Sequence, residues 1–138
     1  MKINIFYDIK KYKLRQKKKH VEWIYNIAKK LGLDNGRDIN IVLVGRNTIL
    51  KINREFLQHN YVTDVISFYY DKDSTILGEI YICPYQVKRN ARRYSVLFEE
   101  ELRRVIAHGM LHLYGYDDVT ETERNEMKIF EDRMLELW

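Results

Sequence analysis

The sequence predicts one α/β (or α+β) domain, built from a small mixed β-sheet that contains an antiparallel hairpin and is covered by helices. Strand-like and helix-like segments alternate along the chain, and two of the strand-like segments flank a turn-rich stretch. The chain has 138 residues, of which 46% are apolar or aromatic, which is enough for one hydrophobic core. It contains one Pro and no repeat or low-complexity linker that would mark a boundary. We therefore expect residues 1–138 to form a single domain.

Four segments have the periodicity of strands. The first alternates apolar and polar residues, and the second is a short apolar run typical of a buried strand. The last two flank the turn-rich sequence DKDST, which predicts a hairpin. In chain order, the segments are INIFY (3–7), DINIVLV (38–44), VISFYY (65–70) and ILGEIYI (76–82).

Five further segments are predicted to be helices. Asn47 or Thr48 is the expected cap of the second helix, and Pro84 suits the first turn of the third. Thr120 is followed three residues later by Glu123, which predicts a capping box at the start of the last helix. The helices are expected at about residues 21–31, 47–57, 84–94, 97–114 and 120–137.

Composition excludes several classes of protein. Cys83 is the only cysteine, so neither an internal disulfide nor a cysteine-based zinc cluster can form. No apolar run approaches the roughly 20 residues that span a bilayer, and the first ten residues alternate too much for a signal peptide. These features predict a soluble, cytoplasmic protein with no membrane partner.

A stretch of concentrated positive charge lies near the start of the chain. KKYKLRQKKK (10–19) contains seven basic residues and no acid, in a chain whose formal net charge is +4. Such a stretch is most often a solvated face. It could also contact a polyanion, because clustered Lys and Arg release counterions from a phosphate backbone.

The segment HGMLHLYGYDD (108–118) has the pattern of a helix-borne metal site. His108 and His112 are one helical turn apart on the flank of an apolar stripe, so both imidazoles can approach one point. Gly115 allows the helix to end in a left-handed turn, after which Asp118 can fold back toward that point. Three protein ligands would leave a fourth position for water, as in catalytic zinc sites. The spacing alone leaves a second interpretation open, in which Asp117 and Asp118 only cap the final helix.

This segment resembles the signature of the YbeY-like endoribonucleases, which are bacterial rRNA-maturation factors. Their motif is H-G-x-L-H-L-x-G-Y-D-H, and ten of its eleven positions are matched or left free here. TDVISF (63–68) and LGEIYI (77–82) are similar to two other recurring stretches of the family, in the same order and at similar separation. The resemblance, which also includes the pair IN at 52–53, spans about residues 38–134.

The resemblance implies a zincin-like metal helix and a catalytic metal centre. It makes His108 and His112 metal ligands, and it places the third ligand at position 118, where the family has His and this chain has Asp118. Two imidazoles and a carboxylate form a known catalytic zinc set, so one Zn²⁺ per chain is expected. Because a carboxylate is a harder ligand than imidazole, another divalent ion such as Mn²⁺ should compete better than in the family.

Several residues are candidates for contact with substrate phosphates. The family has an Arg at the position of Leu57, and Leu57 cannot stabilise negative charge. Arg54 and His59 are the nearest replacements, although both are more often ordinary surface residues. Thr63 and Ser67 match family positions and could bind a phosphate or cap a sheet edge. Further candidates are the basic stretch 10–19 and three arginines of the third helix, Arg89, Arg92 and Arg93. Glu79, on the second strand of the hairpin, is a candidate proton relay, although a glutamate on a strand face is more often solvent-exposed.

The function implied by the resemblance is that of a metal-dependent, single-strand-specific endoribonuclease. It would act in 16S rRNA 3′-end maturation and ribosome quality control, with ribosomal RNA, the small ribosomal subunit and an assembly GTPase as partners. One alternative is a ribosome-assembly binding factor with a purely structural metal, which the missing Arg favours. A metallopeptidase-like hydrolase is the other, and it is disfavoured because Gly109 occupies the place of the usual general base.

Overall fold

The computed structural model describes residues 1–138, which form a four-stranded sheet and five helices in a single domain. The predicted strands and helices are all present and differ from expectation only at their ends. The elements are β1 (Ile3–Asp8), α1 (Lys17–Lys30), β2 (Asp38–Val44), α2 (Arg46–Leu57), β3 (Val65–Tyr69), β4 (Ile76–Ile82), α3 (Pro84–Tyr94), α4 (Phe98–Tyr114) and α5 (Glu121–Leu135). None of the helices combines the length and apolarity that a bilayer crossing requires.

The sheet is mixed, as predicted, with the strand order β1-β2-β4-β3. β1, β2 and β4 run parallel, and β3 pairs antiparallel with β4 at the edge of the sheet. The hairpin between β3 and β4 is therefore confirmed. Parallel neighbours need a crossover connection, and α1 supplies the one between β1 and β2.

The helix starts follow the predicted signals in two of three cases. α3 begins at Pro84, and the capping box of α5 is complete, with the Thr120 hydroxyl accepting from Glu123 N–H and the Glu123 carboxylate accepting from Thr120 N–H. The predicted cap of α2 at Asn47 or Thr48 is wrong. α2 begins earlier, at Arg46 after an extended Gly45, so both polar residues lie inside its first turn and no side chain caps it.

α4 lies directly on the sheet because two glycines remove the side chains that would separate them. A Cβ on Gly109 would lie 2.8 Å from Ile80 Cγ2. A Cβ on Gly78 of β4 would lie 2.6 Å from both Leu113 Cδ2 and the Phe68 carbonyl oxygen. Such distances are shorter than real Cβ contacts. The buried face of α4 is thus held against β3 and β4, and the flank that carries the histidines is fixed relative to the sheet edge.

Candidate metal centre

The two histidines of α4 converge at the end of the helix. The Nε2 atoms of His108 and His112 are 2.9 Å apart, and both side chains are half-buried. α4 ends at Tyr114 and is followed by Gly115, whose φ of 115° lies in the left-handed region and whose N–H donates to the carbonyls of Leu111 and His112. This turn reverses the chain, so that the residues that follow pass beside the imidazoles.

Asp118 completes a cluster of three. Its Oδ2 lies 3.1 Å from Nε2 of His108 and 3.5 Å from Nε2 of His112. One potential ligand atom from each residue lies within 4.8 Å of the other two. Asp117 is exposed and does not belong to the cluster. The structure therefore brings together the three residues that the sequence proposed as ligands.

The donor set of this cluster fits a divalent cation. Ligands at tetrahedral angles, about 2.0–2.1 Å from a zinc ion, lie about 3.3 Å from one another. The three separations within the cluster, from 2.9 to 3.5 Å, bracket that value. Two imidazole nitrogens and one carboxylate oxygen are also a ligand combination found at catalytic zinc sites.

Glu131 of α5 orients the first histidine. Its Oε2 lies 2.6 Å from Nδ1 of His108, and its other oxygen accepts a hydrogen bond from Arg104 at 2.9 Å. Glu131 is buried, so this acceptor has few alternatives to His108 and Arg104. A carboxylate at Nδ1 holds the proton there and leaves the Nε2 lone pair directed at the cluster, as outer carboxylates do for metal-bound histidines.

Sequence reasoning missed Glu131, although a signal was present. Glu131 lies four residues after Met127 and three before Met134, which are the other buried residues of α5. An acid on the apolar stripe of a helix is unusual, because a buried carboxylate needs a partner. That position predicts a partner for the carboxylate but cannot say that the partner is His108, which lies on another helix.

The charges around His108 favour its protonated form. Burial alone would lower the pKa of His108, but the hydrogen bond to Glu131 and the charges of Glu131, Asp118 and Asp64 outweigh burial and raise it. These are the interactions that would also favour a bound cation. The carboxylates of Glu131, Asp118 and Asp64 therefore surround the His108 imidazole with negative charge.

Two further acidic residues, Asp64 and Glu101, lie near the candidate metal centre. Asp64, just before β3, accepts a hydrogen bond from the Asn90 amide of α3 at 3.0 Å. Burial raises the pKa of Asp64, although the His108 charge acts in the opposite direction. Burial, followed by the charge of Asp64, raises the pKa of the buried Glu101 to about 7. Near neutral pH, Glu101 is thus partly protonated.

We expect this raised pKa to make stability depend on pH through Glu101. Between pH about 4.5 and 7, the folded protein keeps a proton that the unfolded chain has released, so the free energy of unfolding falls as pH rises. Glu101→Gln removes this contribution. The melting temperature should therefore fall less in Glu101→Gln than in the wild type between pH about 5 and 8. An equal fall in both proteins would contradict the assignment.

A cavity of about 770 Å³ opens beside the centre, between α4 and α5. His108 and Asp118 line it, together with Asp64 and Glu131, so two of the three clustered residues are accessible from it. Arg124 and Lys128 supply positive charge to its wall, whereas Arg104 is paired with Glu131 and Asp132. The cavity thus joins the acidic centre to cations that can contact an anionic substrate.

The remaining predicted site residues lie outside this cavity. The Ser67 hydroxyl donates to the Gly109 carbonyl at 3.0 Å, which ties β3 to α4, and the Thr63 hydroxyl donates to Asp64 at 3.4 Å. Arg54 donates to Asn60, and His59 stacks on Tyr61 with ring centroids 5.4 Å apart. The structure does not bring these four side chains to the clustered residues, and substrate contact at these positions stays a prediction.

The packing of α4 on β4 bears on two further predictions, the role of Glu79 as a proton relay and the metallopeptidase alternative. Gly78 and Ile80 of β4 face α4, so Glu79 between them points to the opposite face, where its carboxylate accepts from the hydroxyl of Tyr81 at 3.1 Å. Its predicted role as a proton relay at the centre is therefore wrong, because side chains alternate along a strand. Gly109 leaves no room for the acid that zinc peptidases carry next to the first histidine, since any Cβ there meets Ile80.

Comparison with known proteins identifies the family. A family model described as Endoribonuclease YbeY matches residues 4–138. The Endoribonuclease YbeY of Flavobacterium psychrophilum is 36% identical over 136 residues, covering 99% of this chain and 96% of the relative. The protein of the same name from Bacteroides thetaiotaomicron is 36% identical over 120 residues, covering 87% of each.

A solved structure agrees with the sequence matches. The solution structure of TM1509 from Thermotoga maritima superimposes with a TM-score of 0.68 at 34% identity, covering 98% of this chain and 87% of that one. The residues that the family model matches include the sheet and also α4, the helix that carries the two clustered histidines. The chain belongs to the YbeY family of endoribonucleases.

Proposed function

We propose that this protein is a metal-dependent endoribonuclease that cleaves single-stranded RNA during 16S rRNA 3′-end maturation and ribosome quality control. The observation that carries the proposal is the convergence of His108, His112 and Asp118 in a chain of an endoribonuclease family. The proposed substrate is ribosomal RNA of the small ribosomal subunit, in the cytoplasm, with an assembly GTPase as a further partner.

The clustered residues would hold one Zn²⁺ per chain. Such an ion would supply Lewis-acid chemistry, making water more acidic near neutral pH and polarising a phosphoryl oxygen. The chain's own contribution is to fix the ligands: Glu131 holds the His108 proton at Nδ1, and the turn at Gly115 places Asp118. Arg104 forms a salt bridge with Glu131 at 2.9 Å and so compensates part of the charge of this buried carboxylate.

RNA suits this site better than a peptide does. Peptide hydrolysis by related metal helices needs a carboxylate next to the first histidine, and the packing of Gly109 on Ile80 excludes one. An RNA strand brings its own 2′-hydroxyl beside the scissile phosphate. The protein therefore needs to position that phosphate and stabilise its charge, and the cavity wall offers Arg124 and Lys128 for this purpose.

A cleavage assay tests the proposal. Protein prepared free of contaminating nucleases is incubated with a 16S rRNA 3′ fragment and with a duplex of the same sequence, before and after chelation. We expect cleavage of the single strand only, lost on chelation and restored by Zn²⁺ or Mn²⁺. Absence of cleavage under all these conditions would contradict the proposal that the protein is an endoribonuclease.

The same assay decides the alternative of an assembly factor with a structural metal. Two observations favour that alternative. The family Arg is replaced by Leu57, and Asp118 lies in the connection between α4 and α5, where a bound ion would fix the two helices. A non-enzymatic factor would lose thermal stability on chelation yet show no cleavage with metal present.

We expect Asp118→His to change the metal preference. Replacing the carboxylate with imidazole removes a hard oxygen ligand, so the ratio of the Mn²⁺ dissociation constant to that of Zn²⁺ should rise by about tenfold. Both constants are measured by competition with a chelator. Asp117→His is the matched control, because Asp117 is exposed and outside the cluster, and its ratio should equal that of the wild type. Equal ratios in the two variants would count against Asp118 as a ligand.

A further inference from the structure

Helix α3 has an exposed face composed almost entirely of cations. The sequence of α3, PYQVKRNARRY, contains no acid, and its buried residues are Pro84, Val87 and Ala91. The solvent side has four basic residues, all of them exposed. These four residues are Lys88, Arg89, Arg92 and Arg93.

The basic face of α3 lies next to the cavity that His108 and Asp118 line. Asn90 contacts Asp64, which lines the cavity together with His108. At about 100° per residue, Arg93 and Arg89 lie about 60° and 100° from Asn90, on the side away from the buried stripe. The surface from the cavity across Asn90 to Arg93 and Arg89 is therefore continuous, with the charge changing from negative to positive.

At the start of α3, two guanidinium groups surround one tyrosine ring. Arg46 Cζ lies 4.2 Å from the Tyr85 ring centroid and Arg89 Cζ lies 5.9 Å from it. Arg89 also donates to the Tyr85 hydroxyl at 3.3 Å, and this hydrogen bond is the main reason that the pKa of Tyr85 is lowered. Guanidinium groups form bidentate contacts with phosphate, and an exposed aromatic ring can stack on a base.

None of these cations is neutralised within the protein. Arg46 and the four basic residues of α3 form no salt bridge, whereas Arg104 on the neighbouring α4 pairs with two carboxylates. A helix of 11 residues is about 16.5 Å long, which four or five stacked nucleotides cover at about 3.4 Å each. The charge, the length and the position beside the cavity all match a nucleic acid strand that enters the centre.

The basic stretch 10–19 is less suited to this role. Lys13 lies over the ring of Tyr7 in β1, at the edge of the sheet opposite to β3. Lys19 lies over Trp138. Tyr12 of the stretch packs on Phe98 at the start of α4, whereas the histidines lie toward the end of that helix. Trp138 itself lines the cavity, so Lys19 is not among the residues altered in the control below.

We propose that the basic face of α3, together with Arg46 and Tyr85, binds the phosphate backbone of the RNA strand adjacent to the cleaved phosphate. The inference rests on the proposed function and adds the path that the substrate takes over the surface. It assigns α3 to the positioning of substrate, while the centre on α4 carries the chemistry.

Binding to a protected strand tests this proposal separately from cleavage. The probe is a fluorescein-labelled, 2′-O-methylated single strand of about 12 nucleotides, shown to stay intact by gel electrophoresis, bound to the full chain with its metal and followed by anisotropy at several salt concentrations. In Arg89→Gln/Arg92→Gln/Arg93→Gln, we expect the slope of log affinity against log salt to become less steep by about 2, at about 0.7 per lost phosphate contact. Affinity at the lowest salt should fall by about tenfold or more.

The matched control removes the same charge elsewhere. Lys11→Gln/Lys17→Gln/Lys18→Gln alters three exposed cations of the stretch 10–19 and should keep the slope of the wild type. An unchanged slope in the α3 variant, or an equal loss in both variants, overturns the proposal. Displacement of the strand by an acidic peptide at equal charge concentration also overturns it, because the surface would then be one for an acidic protein. Cleavage of unmodified RNA is measured in a separate assay. Failure of the binding prediction therefore leaves the proposed nuclease activity open to its own test, and failure of cleavage leaves the binding result interpretable.

Discussion

His112→Ala is expected to abolish both metal binding and RNA cleavage. The variant removes one of three ligand atoms that lie within 4.8 Å of one another, and two ligands hold a divalent ion far less tightly than three. The Lewis-acid contribution that is lost with the ion amounts to several kcal/mol. At tenfold for each 1.36 kcal/mol, cleavage should fall by at least about 10³-fold. Metal content by mass spectrometry and single-turnover cleavage of the rRNA fragment measure the two effects.

A stability measurement makes this test independent of activity. An ion that binds only the folded protein raises the melting temperature, so Zn²⁺ should raise that of the wild type and leave that of His112→Ala unchanged. Asp117→Asn is the control, since Asp117 is close in sequence but outside the cluster. His112→Ala that retains full metal content and cleavage rate would exclude the proposed centre.

The fold could be predicted because each element has a strong local signal. Alternation in β1, the apolar run of β2 and the turn between β3 and β4 fixed the strands, and the capping box fixed the start of α5. The start of α2 could not be predicted in the same way. Gly45 precedes it in an extended conformation and no side chain caps it, so the helix is held by the burial of Ile49 rather than by a local cap signal.

The candidate centre was predictable only as far as it is local in sequence. His108, His112 and Asp118 lie within eleven residues, joined by one helix and one turn, so spacing and resemblance brought them together. Glu131 lies 23 residues after His108 and reaches it through the packing of α5 on α4. Asp64 likewise approaches the centre because β3 is the sheet edge beside α4, and no periodicity in one segment encodes that approach.

The direction of a side chain was a second source of error. Glu79 stands in a motif that the family shares, yet its neighbours Gly78 and Ile80 are the residues that face α4. A shift of one residue along a strand exchanges the two faces of the sheet. Gly78 and Gly109 are the sequence signal for the face of β4 that contacts α4. Because neither residue has a side chain, α4 can approach β4 closely at these two positions.

Glu131→Ala is expected to weaken metal binding without removing a ligand. Loss of the 2.6 Å contact frees His108 to rotate and to place its proton on either nitrogen, and outer-shell changes of this kind cost about 10–100-fold in metal affinity. The metal dissociation constant is measured by competition with a chelator. Asp132→Asn provides a matched control, because Asp132 also binds Arg104, at 2.7 Å, but is exposed and does not touch His108. Exposed ion pairs contribute at most about 1 kcal/mol, so this control should change the urea midpoint slightly and the metal affinity not at all. Equal losses of affinity in the two variants would mean that the effect passes through Arg104 rather than through the orientation of His108.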